Sequence, residues 1–226
     1  MLRNDKFEFN QKGRDFVCGD IHGEIAQLFE CMNSVQFDKE KDRIFSVGDL
    51  IDRGPHSLSC LELIYQDWFF AVKGNHEDML VKSIIGRDKE YRNVWLSNGG
   101  EWSLSAPEDR LNKAAEMARR LPYSITIGDG EDSIGICHTD PPRDWNNVTA
   151  RHNEDFMLWG RSVINNERKE KFIKNIGKVF CGHTPRINVV VVGNVLFVDT
   201  GAHKSKGHLT LLDIEKTKIR LDDDYI

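Results

Sequence analysis

Gly19-Asp20-Ile21-His22-Gly23 sets an aspartate and a histidine two positions apart between glycines. In extended backbone, side chains at i and i+2 point the same way, so Asp20 and His22 are placed to grip one cation. Related clusters recur as Gly48-Asp49-Leu50-Ile51-Asp52-Arg53-Gly54, Gly74-Asn75-His76-Glu77, His138-Thr139-Asp140 and Gly182-His183-Thr184. Any one of them alone reads as a polar turn. Their succession along one chain does not. The donors are carboxylates, imidazoles and one amide oxygen, with no thiolate, a set that suits Mn²⁺, Fe²⁺ or Zn²⁺. They are too many for one ion and suit two ions sharing a bridging carboxylate, about 3.5–4 Å apart. Such a pair brings the pKa of a bound water down toward about 7 and aims hydroxide at a phosphorus atom. Arg53 and Arg161 offer the planar cations that phosphate oxygens prefer. His76, beside Asn75, is placed to protonate a leaving alkoxide, with Asp52 to orient it and keep it protonated.

Each cluster follows a short apolar run. "DFVC" (15–18), "RIFSV" (43–47), "WFFAV" (68–72), "SIGIC" (133–137), "KVFC" (178–181), "NVVVV" (188–192) and "VLFV" (195–198) read as buried strands. "GHLTLLDI" (207–214) reads as a last long strand. Ile25, Leu28, Phe29, Met32 and Val35 recur at helical spacing, as do Leu58, Leu61, Ile64 and Tyr65. The first 75 residues are therefore two βαβ units with a parallel core. Further helices are expected after His76 and over Pro107–Leu121. Asp20 to Asp49 is 29 residues and Asp49 to Asn75 is 26, each close to one βαβ repeat of about 30. In such sheets ligands sit beyond the carboxyl ends of the strands, so Asp20, His22, Asp49, Asn75 and His76 should share one rim. A single domain over 1–226 is expected, with the polar stretch 86–110 as a lid or insertion.

The chain has 226 residues, 39% hydrophobic and 30% charged, with a net charge of −5. That balance describes a globular protein and argues against nucleic acid as partner. No apolar run reaches the ~18 residues of a membrane span, and no secretory leader is visible at the start. The five cysteines form no Cys-x-x-Cys pair, which suits a reducing, cytoplasmic setting with Cys18, Cys137 and Cys181 as small buried hydrophobes.

The same motifs resemble the phosphoprotein-phosphatase branch of the metallophosphoesterases, and most closely the small serine/threonine phosphatases of bacteriophage lambda and its bacterial relatives. "LSNGGEW" (96–102), Trp159-x-Arg161 and "VDTGA" (198–202) extend the likeness over about residues 14–213. The resemblance implies an α/β calcineurin-like fold, two β-sheets packed as a sandwich and flanked by helices. It implies that Asp20, His22 and Asp49 hold a first metal and that Asp49 bridges. Asn75, His138 and His183 would complete a second, with Mn²⁺ as the usual ion. His76 would be the general acid, paired with Asp52. Arg53 and Arg161, with Asn75 and His76, would bind the phosphoryl group, and water would attack directly with no phosphoenzyme. Substrates would be phosphorylated proteins or peptides, on serine or threonine with phosphotyrosine as a further target, and no regulatory subunit is implied. Two features depart from the family pattern. "HTD" (138–140) replaces the His-Gly-Gly of eukaryotic members, and Gly160 stands where asparagine is expected in the phage enzyme. A symmetrical diadenosine tetraphosphate hydrolase is the alternative reading, disfavoured by Asp52 and Glu77. A non-catalytic scaffold is remote, because every ligand position and the acid are retained.

Overall fold

The central strands are apolar on both faces, and such strands must be covered on both sides. The computed structural model describes residues 1–217; residues 218–226, which the single-domain expectation includes, lie outside the described residues. In chain order the elements are β1 (Asn4–Phe7), β2 (Asp15–Cys18), α1 (Ile25–Ser34), β3 (Arg43–Ser46), α2 (Ser57–Glu62), β4 (Phe69–Ala71), α3 (Asn75–Ile84), α4 (Lys89–Ser97), α5 (Glu108–Arg119), β5 (Ser124–Ile127), β6 (Ile134–Cys137), α6 (Glu154–Trp159), β7 (Lys178–Cys181), β8 (Val190–Val192), β9 (Val195–Phe197) and β10 (Leu211–Asp213).

They form two sheets, ordered β10-β2-β3-β4 and β1-β5-β6-β7-β9-β8. β2, β3 and β4 are mutually parallel, as two βαβ units require, and β10 closes one edge antiparallel. Alternation along each strand sorts the core into layers. Val17 and Phe45 from one sheet meet Ile136, Phe180 and Leu196 from the other in a buried cluster between the sheets. Phe16, Cys18 and Ile44 point the opposite way, onto Leu28 and Met32 of α1 and Ala114, Ala115 and Ala118 of α5. Cys137, Val179 and Cys181 face outward from the second sheet onto Trp145, Val148 and Met157. The result is the expected sandwich flanked by helices.

Several elements differ from the sequence reading. β1 was not anticipated; Asn4–Phe7 is half-exposed and shows no clean alternation, yet it pairs parallel with β5. The long strand expected at 207–214 is only Leu211–Asp213. The preceding residues are held by side chains instead of a ladder, with Thr200 Oγ1 donating to the His208 carbonyl and lying 2.6 Å from Thr210 Oγ1. The 86–110 stretch forms α4 and a 3₁₀ turn over Gly100–Leu104. Its Trp95 is fully buried in the core that also holds Met79 and Leu80. All five cysteines are free thiols. Among the described residues, no helix is long and apolar enough to cross a membrane.

Phe180 has no exposed surface and fills the space between the sheets. Phe180→Ala should lower unfolding stability by about 3–5 kcal/mol, the range for a buried phenylalanine. Val191→Ala, on the exposed edge strand β8, should stay within about 0.5 kcal/mol. Urea unfolding of both variants checks the pair, and equal losses would contradict this layering.

Candidate active site

β2, β3, β4, β6 and β7 each run out at their carboxyl ends into one of the polar clusters. Asp49, which follows β3, stands at the centre. Its Oδ2 lies 3.7 Å from His22 Nε2, 3.8 Å from His76 Nε2 and 3.4 Å from His138 Nε2. Its Oδ1 accepts the His76 backbone N–H at 3.1 Å. Two groups of mutually close donor atoms result, His22-Asp49-His76 and Asp49-His138-His183, and they share Asp49. All five residues are buried.

The imidazoles are oriented from behind. His22 Nδ1 is 2.9 Å from the Ile51 carbonyl and His138 Nδ1 is 2.8 Å from the Val47 carbonyl. A carbonyl only accepts, so each Nδ1 carries a hydrogen, and in the neutral ring Nε2 presents a lone pair; burial is outweighed at His138, where Asp49 raises the pKa. His138 Nε2 then faces Asn75 Oδ1 at 2.9 Å, and His183 Nδ1 approaches the same oxygen at 2.9 Å. The Asn75 amide oxygen thus sits between two imidazole nitrogens. Asp20 Oδ2 takes the His183 backbone N–H at 2.9 Å, while Asp20 Oδ1 and His183 Nε2 are buried with no partner. A Cβ added to Gly182 would occupy the place of the Asp20 carboxylate, and one on Gly74 that of Asp49.

The electrostatics agree. Burial penalises the Asp49 carboxylate, but His138, His76 and His22 outweigh that and hold its pKa well below the usual range. Asp20 is pushed well above it by burial and by the nearby charges of Asp199 and Asp49. Burial, then repulsion from His138, drives His183 down to about 2. Burial and His76 likewise lower His22. Lone pairs and crowded carboxylates aimed at one space are what a divalent cation relieves, so the residues present fit the metal pair the sequence suggests. Arg53 gives a direct sign of this. Its Nη1 donates to His22 Nε2 at 2.7 Å, a cationic nitrogen standing where that lone pair seeks a positive charge.

His76 belongs geometrically to the first group, but its Nδ1 is engaged elsewhere, 2.6 Å from Asp52 Oδ2. Asp52 is fully buried. Trp95 Nε1 donates to its Oδ2 at 2.8 Å and Trp102 Nε1 to its Oδ1 at 2.6 Å. The indoles therefore fix the carboxylate that fixes the imidazole. Arg161 is exposed, and its charge adds a small part to the lowering of His183.

The sequence reading assigned no role in the site to several participants. Glu77 straps two clusters together: its carboxylate accepts the N–H groups of Gly74 and Asp49 through Oε2 and of Leu50 through Oε1. Asp199 is buried beside Asp20 and pushed up to about 6, chiefly by burial. It follows the apolar run "VLFV", the same signal that revealed Asp20 and Asp49. The His203 ring, directly after "VDTGA" (198–202), lies edge-on to His22, with centroids 4.8 Å apart.

Glu77→Gln keeps the shape but replaces one accepting oxygen with a donor facing N–H groups. Stability should fall by about 2–3 kcal/mol, as for a lost charged hydrogen bond with buried donors left unpaired. Denaturation of metal-stripped protein checks this; an unchanged midpoint would refute the strap.

The sequence profile of the calcineurin-like phosphoesterases matches residues 16–214. Serine/threonine-protein phosphatase 1 of Salmonella typhimurium is 34% identical over 206 residues, covering 88% of this chain and 91% of its own. The symmetrical bis(5'-nucleosyl)-tetraphosphatase of Vibrio cholerae is 27% identical over 139 residues, covering 61% of this chain and 48% of its own. A solved protein serine/threonine phosphatase from Saccharomyces cerevisiae superposes with a TM-score of 0.60 at 19% identity, over 88% of this chain and 71% of that one. The chain belongs to the calcineurin-like phosphoesterases.

Proposed function

We propose that this phosphoesterase is a metal-dependent serine/threonine protein phosphatase acting on cytoplasmic phosphoproteins. The observation that carries the reading is the buried Asp52–His76 pair, backed by two indoles and adjoining the two donor groups that share Asp49. In this reading Asp20, His22 and Asp49 hold one divalent cation, and Asp49, Asn75, His138 and His183 hold the other, with Mn²⁺ the preferred ion. When bound, the ions supply an activated water and polarise the phosphoryl oxygens.

The chain's own residues do the rest. Arg53 and Arg161 bind the phosphoryl oxygens, and Arg53 must leave His22 Nε2 to do so. That exchange links phosphate grip to cation loading. The side chain of Asn75 lies next to the same phosphoryl group. His76 delivers a proton from Nε2 to the leaving serine or threonine oxygen. Asp52, accepting at Nδ1, steadies the imidazole and the positive charge it carries before the transfer. α3 starts at Asn75, so its N-terminal dipole also favours a dianion there. The likeness to a symmetrical tetraphosphatase supports a second reading, hydrolysis of diadenosine tetraphosphate by the same groups.

Hydrolysis by metal-stripped protein, with and without Mn²⁺, separates the two when a phosphoserine peptide is followed by released phosphate and diadenosine tetraphosphate by the ADP it yields. Mn²⁺-dependent release from a phosphoserine peptide is expected; turnover of diadenosine tetraphosphate alone would overturn the reading. His76→Asn should cut peptide turnover by ~10²–10⁴-fold, the usual worth of general acid catalysis, with metal stoichiometry unchanged. Equal rates in mutant and wild type would remove His76 from the role. Asp49→Asn should weaken both metal sites, since it removes charge from a shared ligand; a titration showing two undiminished sites would count against bridging.

A further inference from the structure

Asp140 is fully buried and takes no part in the chemistry above. A carboxylate taken out of water must find donors or be strongly penalised. All of its donors come from one short turn. Oδ2 accepts the Ser162 backbone N–H at 2.7 Å and the Ser162 hydroxyl at 2.6 Å, and Oδ1 accepts the Val163 N–H at 3.2 Å. That turn begins at Arg161. The approach from the other side is held as well. Thr139 N–H donates to the Met157 carbonyl at 3.2 Å and Thr139 Oγ1 to that of Phe156 at 2.7 Å, so α6 is pinned where it feeds into Gly160 and Arg161. Gly160 lies against Asp140; a Cβ there would meet the Asp140 side chain and the Phe156 carbonyl. The two departures from the family pattern, Asp140 in "HTD" and Gly160, are thus one packed contact.

We propose that Asp140 is a positioning residue for phosphate recognition: it clamps the 161–163 turn so that the Arg161 guanidinium is presented to the site. Two residues before it, His138 faces Asn75 and Asp49. One tripeptide therefore sets both a metal-facing imidazole and the seat of a phosphate-facing arginine, and fixes the separation between them. The inference rests on the reading of Arg161 as a phosphate-binding side chain.

The test is titration of Mn²⁺-loaded protein with inorganic phosphate, for wild type, Asp140→Ala, Asp140→Asn, Arg161→Ala and the Asp140→Ala/Arg161→Ala double variant. Asp140→Ala should weaken phosphate binding by about tenfold to a hundredfold, as Arg161→Ala does, the range of a charge-assisted hydrogen bond. The double variant should be no weaker than Arg161→Ala, because both changes remove one interaction. Asp140→Asn retains one accepting oxygen and should fall between. KM for a phosphoserine peptide should rise in step with the phosphate dissociation constant. The pH profile of kcat, which reports the acid and base of the bound complex, should stay in place, as should Mn²⁺ affinity.

Full phosphate affinity in Asp140→Ala, or losses that multiply in the double variant, would overturn the proposal. So would an effect confined to Mn²⁺ affinity. If Asp140→Ala does not fold, Asp140→Asn decides by the same measure, since its amide nitrogen cannot accept from Ser162. Wild-type protein that binds phosphate but releases none from a phosphoserine peptide would defeat the protein-phosphatase reading and leave Asp140 to stand or fall on the phosphate titration.

Discussion

A charged carboxylate with almost no contact with water lies where five strand ends meet, and much of the architecture answers to it. Asp49 is 2% exposed. Left alone, such a group would take up a proton in place of bearing its charge. Three imidazoles surround it, two from the loops after β2 and β6 and one from the first turn of α3. His22 and His138 are tied at Nδ1 to main-chain carbonyls, which turns Nε2 of each toward the carboxylate, whereas His76 is tied at Nδ1 to Asp52. Those carbonyls, at Val47 and Ile51, flank Asp49 itself. The loop that carries the negative charge also aims the rings that tolerate it.

Parallel strands make this convergence affordable in chain length. Two βαβ units bring three strand ends to one edge of the first sheet, and β6 and β7 bring two more from the second. The loops themselves stay short because Glu77 spans them: one side chain at the start of α3 satisfies backbone groups of both the 48–51 loop and the helix N-terminus. α4 and the turn after it add a further layer, whose indoles reach Asp52 from outside the sheet. The rigidity of the site is thus distributed over elements far apart in sequence.

How much of this could be read from the chain follows from where the information sits. Strand and helix positions around Asp20, Asp49 and Asn75 were legible because apolar periodicity and a repeat of nearly 30 residues are local patterns. The convergence of the polar clusters followed from parallel topology alone. β1 was not legible, because a short, half-exposed edge strand owes its conformation to pairing with β5, more than a hundred residues away. The shortening of the strand at 207–214 depended on hydroxyl bonds from Thr200 that no window in that segment contains. Trp102 closes the motif "LSNGGEW" and Trp95 just precedes it, yet their partner is 50 and 43 residues distant. Asp140 looked like a mere departure until its donors at 162 and 163 were in view.

The backbone at this rim is bent against its own preferences. His22 (φ 45°), Asp49 (φ 50°), Asp52 (φ 75°), Arg53 (φ 69°) and His183 (φ 70°) are all left-handed without being glycine. Such residues are each destabilising by roughly 1–3 kcal/mol, and aspartate and histidine tolerate the region better than most. Glycine at any of the five would relax the chain and erase the side chain that the site uses. Relief of the strain and loss of the side chain therefore come together at these positions. Selection for a tougher fold and selection for turnover pull in opposite directions here, residue by residue.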